Sequence, residues 1–223
     1  MKKVLINILI LGSCIGFNVG VFWGIGWLWT QMNTKYGTKY ETYQDACREN
    51  DFEAAHIFLD HLYVEYGDAV EHNTGFTTKQ DGENITSAAR DYCFAAEFVC
   101  SAELRYLASL NEDMAWTRAV ALVKEMPVVG RKFAEGTYST SNDGKCYFIE
   151  SYQYYVDLRN HLCNLLLDLA IDNKNQEIAE KVLKCYCENC REEYGLYYIY
   201  YNMDDLKAAQ KKYDEAVASG AFE

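Results

Sequence analysis

The sequence predicts an all-α protein in which an N-terminal transmembrane helix precedes an irregular array of antiparallel helical hairpins. Residues 4 to 30 contain no charged residue, and Pro127 is the only proline among 223 residues. Beyond the apolar segment, apolar residues recur at spacings of three and four rather than alternating, which is typical of helices. We therefore expect residues 1 to 31 to form a transmembrane signal anchor, 32 to 40 a juxtamembrane linker and 41 to 223 a single helical-hairpin domain.

The anchor contains four glycines at four-residue steps: Gly12, Gly16, Gly20 and Gly24. Residues at this spacing share one stripe of a helix, where the missing side chains let a second helix pack closely. Asn18 lies in the middle of the segment, and its amide favours a partner across such an interface over lipid. We therefore expect a homo-oligomer whose helices contact lipid through residues 4 to 30.

Tryptophans mark the far end of the anchor: Trp23, Trp27 and Trp29. Indole rings favour the membrane interface, so these residues act as interface anchors near the exit of the helix. Lys2 and Lys3 precede the apolar run as in a secretory signal, which favours a cytoplasmic N terminus and an exported body, whereas the unpaired cysteines of the body favour the opposite orientation, in a reducing cytosol. An alternative arises because residues 11 to 14 resemble a bacterial lipobox, in which Cys14 would be acylated.

The body that follows the anchor is acidic and rich in aromatic residues. The chain holds 33 acidic and 21 basic residues, and all the acidic ones lie after the anchor. Such a surface repels nucleic acid, so we expect no nucleic-acid partner. Nineteen tyrosines and ten phenylalanines provide surface that can fill a core or line a recognition groove.

Apolar spacing predicts four helices in the first half of the body. Their ranges are Tyr40–Glu49, Asp51–Tyr66, Asn84 or Thr86 to Leu110, and Met114–Met126. The core positions expected in them are Phe52, Ala55, Phe58 or Leu59, Leu62, Cys93, Ala96, Cys100, Leu104, Leu107, Trp116, Val120 and Val123. Residues 67 to 82 contain three glycines and many polar residues, so they predict a loop. Pro127 ends the fourth helix, and residues 127 to 145 predict a second long loop.

Three further helices are expected in the second half. Their ranges are a helix from Tyr147 to a break at Asp172-Asn173, a second from Asn175 to Asn189 and a third from Asp204 to Ala218. The first of these carries the clearest apolar stripe in the chain, namely Tyr155, Leu158, Leu162, Leu165 or Leu166, and Leu169. The inward positions expected in the last helix are Leu206, Ala209, Tyr213 and Val217. Gly220 then serves as a stop.

Two hairpin segments resemble the turn and second helix of tetratricopeptide-type repeats. The first reads Asn-Asp-Phe-Glu-Ala-Ala over residues 50 to 55 and leads to Leu59. The second reads Lys-Asn-Gln-Glu-Ile-Ala over residues 174 to 179 and leads to Leu183. The resemblance covers two of about four hairpins, and the segments are not spaced at the constant period of that family. It implies an α-solenoid scaffold whose helix faces bind a peptide or protein, and it transfers no binding residue.

Cys185, Cys187 and Cys190 form the densest group of chemically active side chains. Three thiolates could ligate zinc or take part in redox chemistry, but residues 185 and 187 point in nearly opposite directions on a helix. We therefore expect Cys185 in the core and no metal, cofactor or catalytic site. The four histidines lack a metal-binding spacing, and carboxylates such as Glu97 and Glu103 are expected on solvated helix faces.

These features together predict a membrane-anchored helical scaffold, not an enzyme, that binds a protein partner and self-associates through its glycine stripe. The alternatives left open are a metal-binding or redox protein that uses the three clustered cysteines, and a lipoprotein acylated at its anchor.

Overall fold

The computed structural model describes residues 35–72, 79–127, 129, 147–192 and 199–223, and these residues are helical or in turns. A short 3-10 turn, Lys35–Gly37, precedes the helices. The helices are α1 Tyr43–Arg48, α2 Phe52–His72, α3 Lys79–Leu110, α4 Asp113–Lys124, α5 Tyr147–Asp172, α6 Gln176–Glu192 and α7 Ile199–Ala218. The all-α prediction is therefore confirmed. Within the described part of the chain, no helix is both long enough and apolar enough to cross a membrane; the predicted anchor lies outside it.

The prediction of a loop over residues 67 to 82 is wrong at both ends. Helix α2 continues to His72, and α3 begins at Lys79. Gly67 lies inside α2 with no neighbouring atom near its missing side chain, and a glycine there costs about 1 kcal/mol relative to alanine. Burial of Tyr66 and Val70 on either side of Gly67 offsets this cost, so the helix does not end at the glycine.

Helix contacts follow the order of the chain. Each helix contacts the next one, α1 also contacts α3, α3 contacts α5, α5 contacts α7, and α4 contacts α6. The contact between α3 and α5 is the most extensive. Across the described ranges, no helix contacts another that lies more than two positions away in the chain. The described part of the body therefore consists of three successive helix pairs, α1–α2, α3–α4 and α5–α6, followed by α7.

The first helix of each pair ends at a residue with left-handed backbone conformation: Asn50, Asn111 and Lys174. In the first and third pairs, the N–H groups of this residue and the next donate to carbonyls three and five residues earlier. The distances are 3.1 and 2.9 Å in the first pair and 3.0 and 2.8 Å in the third. This two-bond closure is the Schellman arrangement, and it satisfies carbonyls that the helix end would leave unpaired.

An aspartate or asparagine side chain then caps the start of the second helix in these two pairs. Oδ1 of Asp51 accepts from the N–H of Ala54 at 3.2 Å, and Oδ1 of Asn175 accepts from the N–H of Ile178 at 3.1 Å. Such caps contribute about 1 kcal/mol each. The two segments therefore share one turn geometry.

The buried apolar residues form one continuous cluster that reaches from α1 to α7. Its largest fully buried members are Trp116, Ile85, Leu104, Leu162 and Leu166. Almost all the predicted core positions are buried or partly buried, but Val217 is 46% exposed. Ala216 is buried in its place; among the described helices α7 contacts only α5 and α6, so part of its surface, including Val217, stays exposed.

Candidate partner-binding surface

Two phenylalanines lie exposed on the central helix α3. Phe94 is 58% exposed and Phe98 is 47% exposed, and they lie one helical turn apart on the same face. Single exposed apolar residues are common, but two adjacent phenylalanines form a contiguous apolar patch, which is typical of interaction sites.

A tyrosine from α1 and a tyrosine from α5 lie against this pair. The Tyr43 ring of α1 packs edge-on to Phe98 with 5.7 Å between centroids, and the Tyr154 ring of α5 packs edge-on to Phe94 at 6.2 Å. Edge-to-face packing at these distances is favourable and holds each ring in place. We name these four residues the aromatic face. It spans α1, α3 and α5, so it is built from the first helix of each successive pair.

The face is exposed because of how α3 is surrounded. Side chains such as Tyr92, Val99 and Leu107 are buried, whereas Phe94 and Phe98 occupy the opposite side of α3. Helices α1 and α5 both contact α3, and their tyrosines reach the edges of the two phenylalanines. The face therefore remains open along the middle of the body.

Carboxylates lie along the seam between α3 and α5, next to the aromatic face. Burial raises the pKa of the Cys93 thiol to about 12, and the nearby charges of Asp157 and Glu97 add to this shift. Glu97 has an oxygen 3.7 Å from Nε2 of His161, and Asp157 accepts a hydrogen bond from Gln153 at 2.7 Å. Glu97 is three residues from Phe94 on α3, and Asp157 is three residues from Tyr154 on α5, so both lie within one helical turn of an aromatic-face residue.

The row of carboxylates continues onto α7. Burial raises the pKa of Asp205, and the charges of Asp157 and Asp204 raise it further. Oδ2 of Asp205 accepts a hydrogen bond from the amide of Asn160 at 2.6 Å, while Asp204 lies 3.3 Å from the ammonium of Lys207. We name Glu97, Asp157 and Asp205 the acidic row. Within the described residues, none of the three lies within ion-pair distance of a lysine or arginine.

A buried ionic cluster lies on the other side of α3. The Glu103 side chain is 1% exposed and accepts hydrogen bonds from Nε2 of His56 at 2.6 Å and from Nε of Arg118 at 2.9 Å. Burial alone would raise the pKa of Glu103, but the hydrogen bonds and charges of His56 and Arg118 hold it below its usual value. Both carboxylate oxygens are occupied, so the cluster ties α2, α3 and α4 together.

The expectation of a solvated Glu103 is therefore wrong. Glu103 belongs to the stripe Ala96, Cys100, Glu103 and Leu107, whose successive spacings are four, three and four. Its position within this apolar stripe already indicated burial. His56 likewise follows Phe52 by four residues and precedes Leu59 by three. The aromatic face was also missed, because a sequence shows that phenylalanines share a stripe but not that no neighbour covers it.

Cys185 is confirmed as a core residue, since it is buried on α6 and its thiol lies 3.3 Å from the carbonyl of Lys181. The side chains of Cys187 and Cys190 lie outside the described part of the structure. Among the side chains that are described, no group of three or more histidines, cysteines, aspartates or glutamates could hold a metal ion.

The predicted membrane residues also lie outside the described ranges: Gly12, Cys14, Gly16, Asn18, Gly20, Trp23, Gly24, Trp27 and Trp29. The glycine stripe, the interface anchors and the acylation site therefore stay predictions. The structure brings together side chains of the body only, at the aromatic face and around Glu103. In comparisons with known proteins, no family model, curated protein or solved structure matches this chain.

Proposed function

We propose that this protein is a single-pass, membrane-anchored helical scaffold that binds a protein partner through its aromatic face and has no catalytic step of its own. Residues 4 to 30 hold the body near the bilayer and self-associate through the glycine stripe. The N terminus is cytoplasmic and the body is exported.

The observation that carries this proposal is the exposure of two phenylalanines on one side of the body, each packed edge-on against a tyrosine. Phe94 and Phe98 leave about half of their surface in water although a continuous core lies directly beneath them. Aromatic side chains are enriched at the centres of protein interfaces, where they contribute much of the binding energy. Tyr43 and Tyr154 hold the two rings, so little side-chain freedom is lost on binding.

The arrangement of the helices supports a tetratricopeptide-like scaffold. Its two matching turns begin with the left-handed residues Asn50 and Lys174, and each is followed by a capped helix. Ala55 and Ala179, which match each other in the two segments, are both fully buried. Among the described helices, contacts are restricted to those one or two positions apart in the chain, which is the pattern expected of repeat arrays, and such arrays commonly bind partners along one face.

Site-specific photo-crosslinking in cells of the source organism tests the proposal. A photoreactive phenylalanine analogue replaces Phe94 in the full-length chain, and the matched control carries it at Val64. The control position lies on α2 and is 57% exposed, so its accessibility is comparable. We expect one discrete protein adduct from position 94 and none from position 64. Equal labelling at both positions, or no adduct at position 94, would contradict the proposal.

Self-association is tested separately, through the anchor. Gly16→Ile and Gly20→Ile together place large side chains in the stripe and should convert the detergent-solubilised oligomer to monomer. Gly67→Ala, inside α2 where no atom lies near the missing side chain, is the control. If the double variant stays as associated as the original chain, the glycine stripe is not the contact.

A further inference from the structure

We propose that the aromatic face binds a basic peptide segment, in which apolar side chains contact Phe94 and Phe98 and arginine or lysine side chains pair with the acidic row. This inference rests on the proposed function, because it names the chemistry of the partner at the same surface. It commits to a protein segment rather than to lipid, nucleic acid or a second copy of this chain.

The apolar part of the partner follows from the exposed rings. Two phenylalanines one turn apart offer a surface wide enough for one or two apolar side chains of a bound segment. Their faces can also attract cations, and arginine is the side chain that stacks on aromatic rings most often. A segment that combines arginine with apolar residues can therefore use both kinds of contact.

The basic part follows from the acidic row. Glu97 lies one turn from Phe94 on α3, and Asp157 lies one turn from Tyr154, whose ring packs on Phe94. Asp205 continues the row on α7, where it accepts a hydrogen bond from Asn160 of α5 at 2.6 Å. Other carboxylates nearby are neutralised locally, since Asp91 lies 3.5 Å from Arg90 and Asp204 lies 3.3 Å from Lys207. In the described part of the chain the acidic row has no such lysine or arginine partner, so external cations meet unneutralised charge. This complementarity gives specificity and speeds association.

The charge of the chain argues against the other occupants of this surface. A formal net charge of −12 repels phosphate-rich partners such as nucleic acid and anionic lipid headgroups. Two copies of the face would bring their acidic rows into proximity, which opposes pairing with itself. A basic segment is the occupant that reduces repulsion rather than increasing it.

Fluorescence anisotropy with defined peptides tests the inference on the full-length chain in detergent. The probe is a labelled peptide of alternating arginine and leucine, and the matched peptide has glutamate in place of every arginine. We expect binding of the arginine peptide only, weakened by salt between about 0.01 M and 0.15 M, as screening shortens from about 30 Å to about 8 Å.

Paired variants assign the binding to this surface. Phe94→Ala with Phe98→Ala should weaken binding by about tenfold or more, as expected for central aromatic contacts, whereas the exposed control Val64→Ala should stay within about twofold. Glu97→Gln with Asp157→Asn should weaken binding and reduce its salt dependence. An unchanged melting temperature shows that each variant is folded.

The outcomes separate this inference from the proposed function. Binding of the glutamate peptide, insensitivity to the phenylalanine variants, or Phe94-dependent dimers or binding to anionic vesicles would overturn the inference. If crosslinking at position 94 identifies a partner whose contacting segment is acidic or uncharged, the scaffold function stands and the basic segment is refuted. If neither adduct nor arginine-peptide binding occurs, both proposals fail.

Discussion

Replacing Arg118 alone should destabilise the body more than replacing both Arg118 and Glu103, the buried carboxylate that it contacts. In the folded protein, Glu103 is 1% exposed, whereas the side chains of His56 and Arg118 are 33% and 61% exposed. Arg118→Leu therefore leaves a negative charge in the core with one remaining partner. Glu103→Leu with Arg118→Leu leaves no buried charge, and His56 can return to water.

The magnitude follows from this asymmetry of burial. Removing one member of a fully buried pair costs about 3–5 kcal/mol. Because Arg118 is largely exposed, its interaction is screened by solvent, and His56 still donates to Glu103 at 2.6 Å. We therefore expect Arg118→Leu to lower the free energy of unfolding by about 2 kcal/mol, and the double variant to recover at least about half of that loss.

The loss of stability in Arg118→Leu should also change with pH in a defined direction. The pKa of Glu103 is lowered in the folded protein, so its stabilising contribution is present above its unfolded pKa of about 4.3 and is lost as pH falls through the folded value. Without Arg118, burial favours protonation, so the deficit of Arg118→Leu should be largest at neutral pH and shrink on acidification.

Urea unfolding of the full-length chain in detergent, followed by circular dichroism between about pH 4 and pH 7 across the titration of a carboxyl group, measures both quantities. Arg105→Leu, on an exposed arginine of α3, is the matched control. A deficit below about 0.5 kcal/mol, the range of ordinary surface substitutions, would refute the reasoning. A double variant less stable than Arg118→Leu alone would refute it too.

Further predictions concern the thiols, one turn and one cap. Burial raises the pKa of three core thiols to about 12, namely those of Cys93, Cys100 and Cys163. Their stabilising effect is complete below the unfolded pKa of about 8.5, so denaturant titrations should show stability falling by about 1.4 kcal/mol per pH unit per thiol above it. Lys174→Gly should raise the free energy of unfolding by about 0.5–1 kcal/mol, because the backbone of residue 174 is left-handed. Lys207→Gly, inside α7, should lower it by about 1 kcal/mol, and thermal melts of the two variants measure both changes. Asn175→Ala should cost about 1 kcal/mol, and Asn175→Asp should retain the cap; a melting temperature unchanged by the alanine would contradict this.

Periodicity predicted the parts of the fold that depend on one helix at a time. Helix α5 begins at Tyr147 as expected, and it ends at the predicted break at Asp172-Asn173. Its strong apolar stripe and polar turn leave little freedom in either boundary. The helical residues 67 to 72 were not predicted, because Gly67 and its polar neighbours lower helix propensity, whereas Val70 is buried by packing between helices, which propensity does not describe.

The candidate site depends on relations between helices, so the sequence revealed little of it. Nothing in the order of residues shows that Tyr43 and Tyr154 meet the same helix, or that Phe98 stays uncovered. Glu103 was recoverable in principle, since it interrupts an apolar stripe. Its partner Arg118 lies on α4, which only the packed structure identifies.

Contacts limited to neighbouring helices have a consequence for how the body unfolds. Because α1 and α7 each pack at one end of the series, either end can open without breaking the contact between α3 and α5. Amide-exchange protection should therefore be highest in those two central helices and decline toward both ends. A peptide bound from Tyr43 on α1 to Asp205 on α7 would link both ends of the series to the central helices, so it should slow exchange in α1 and in α7.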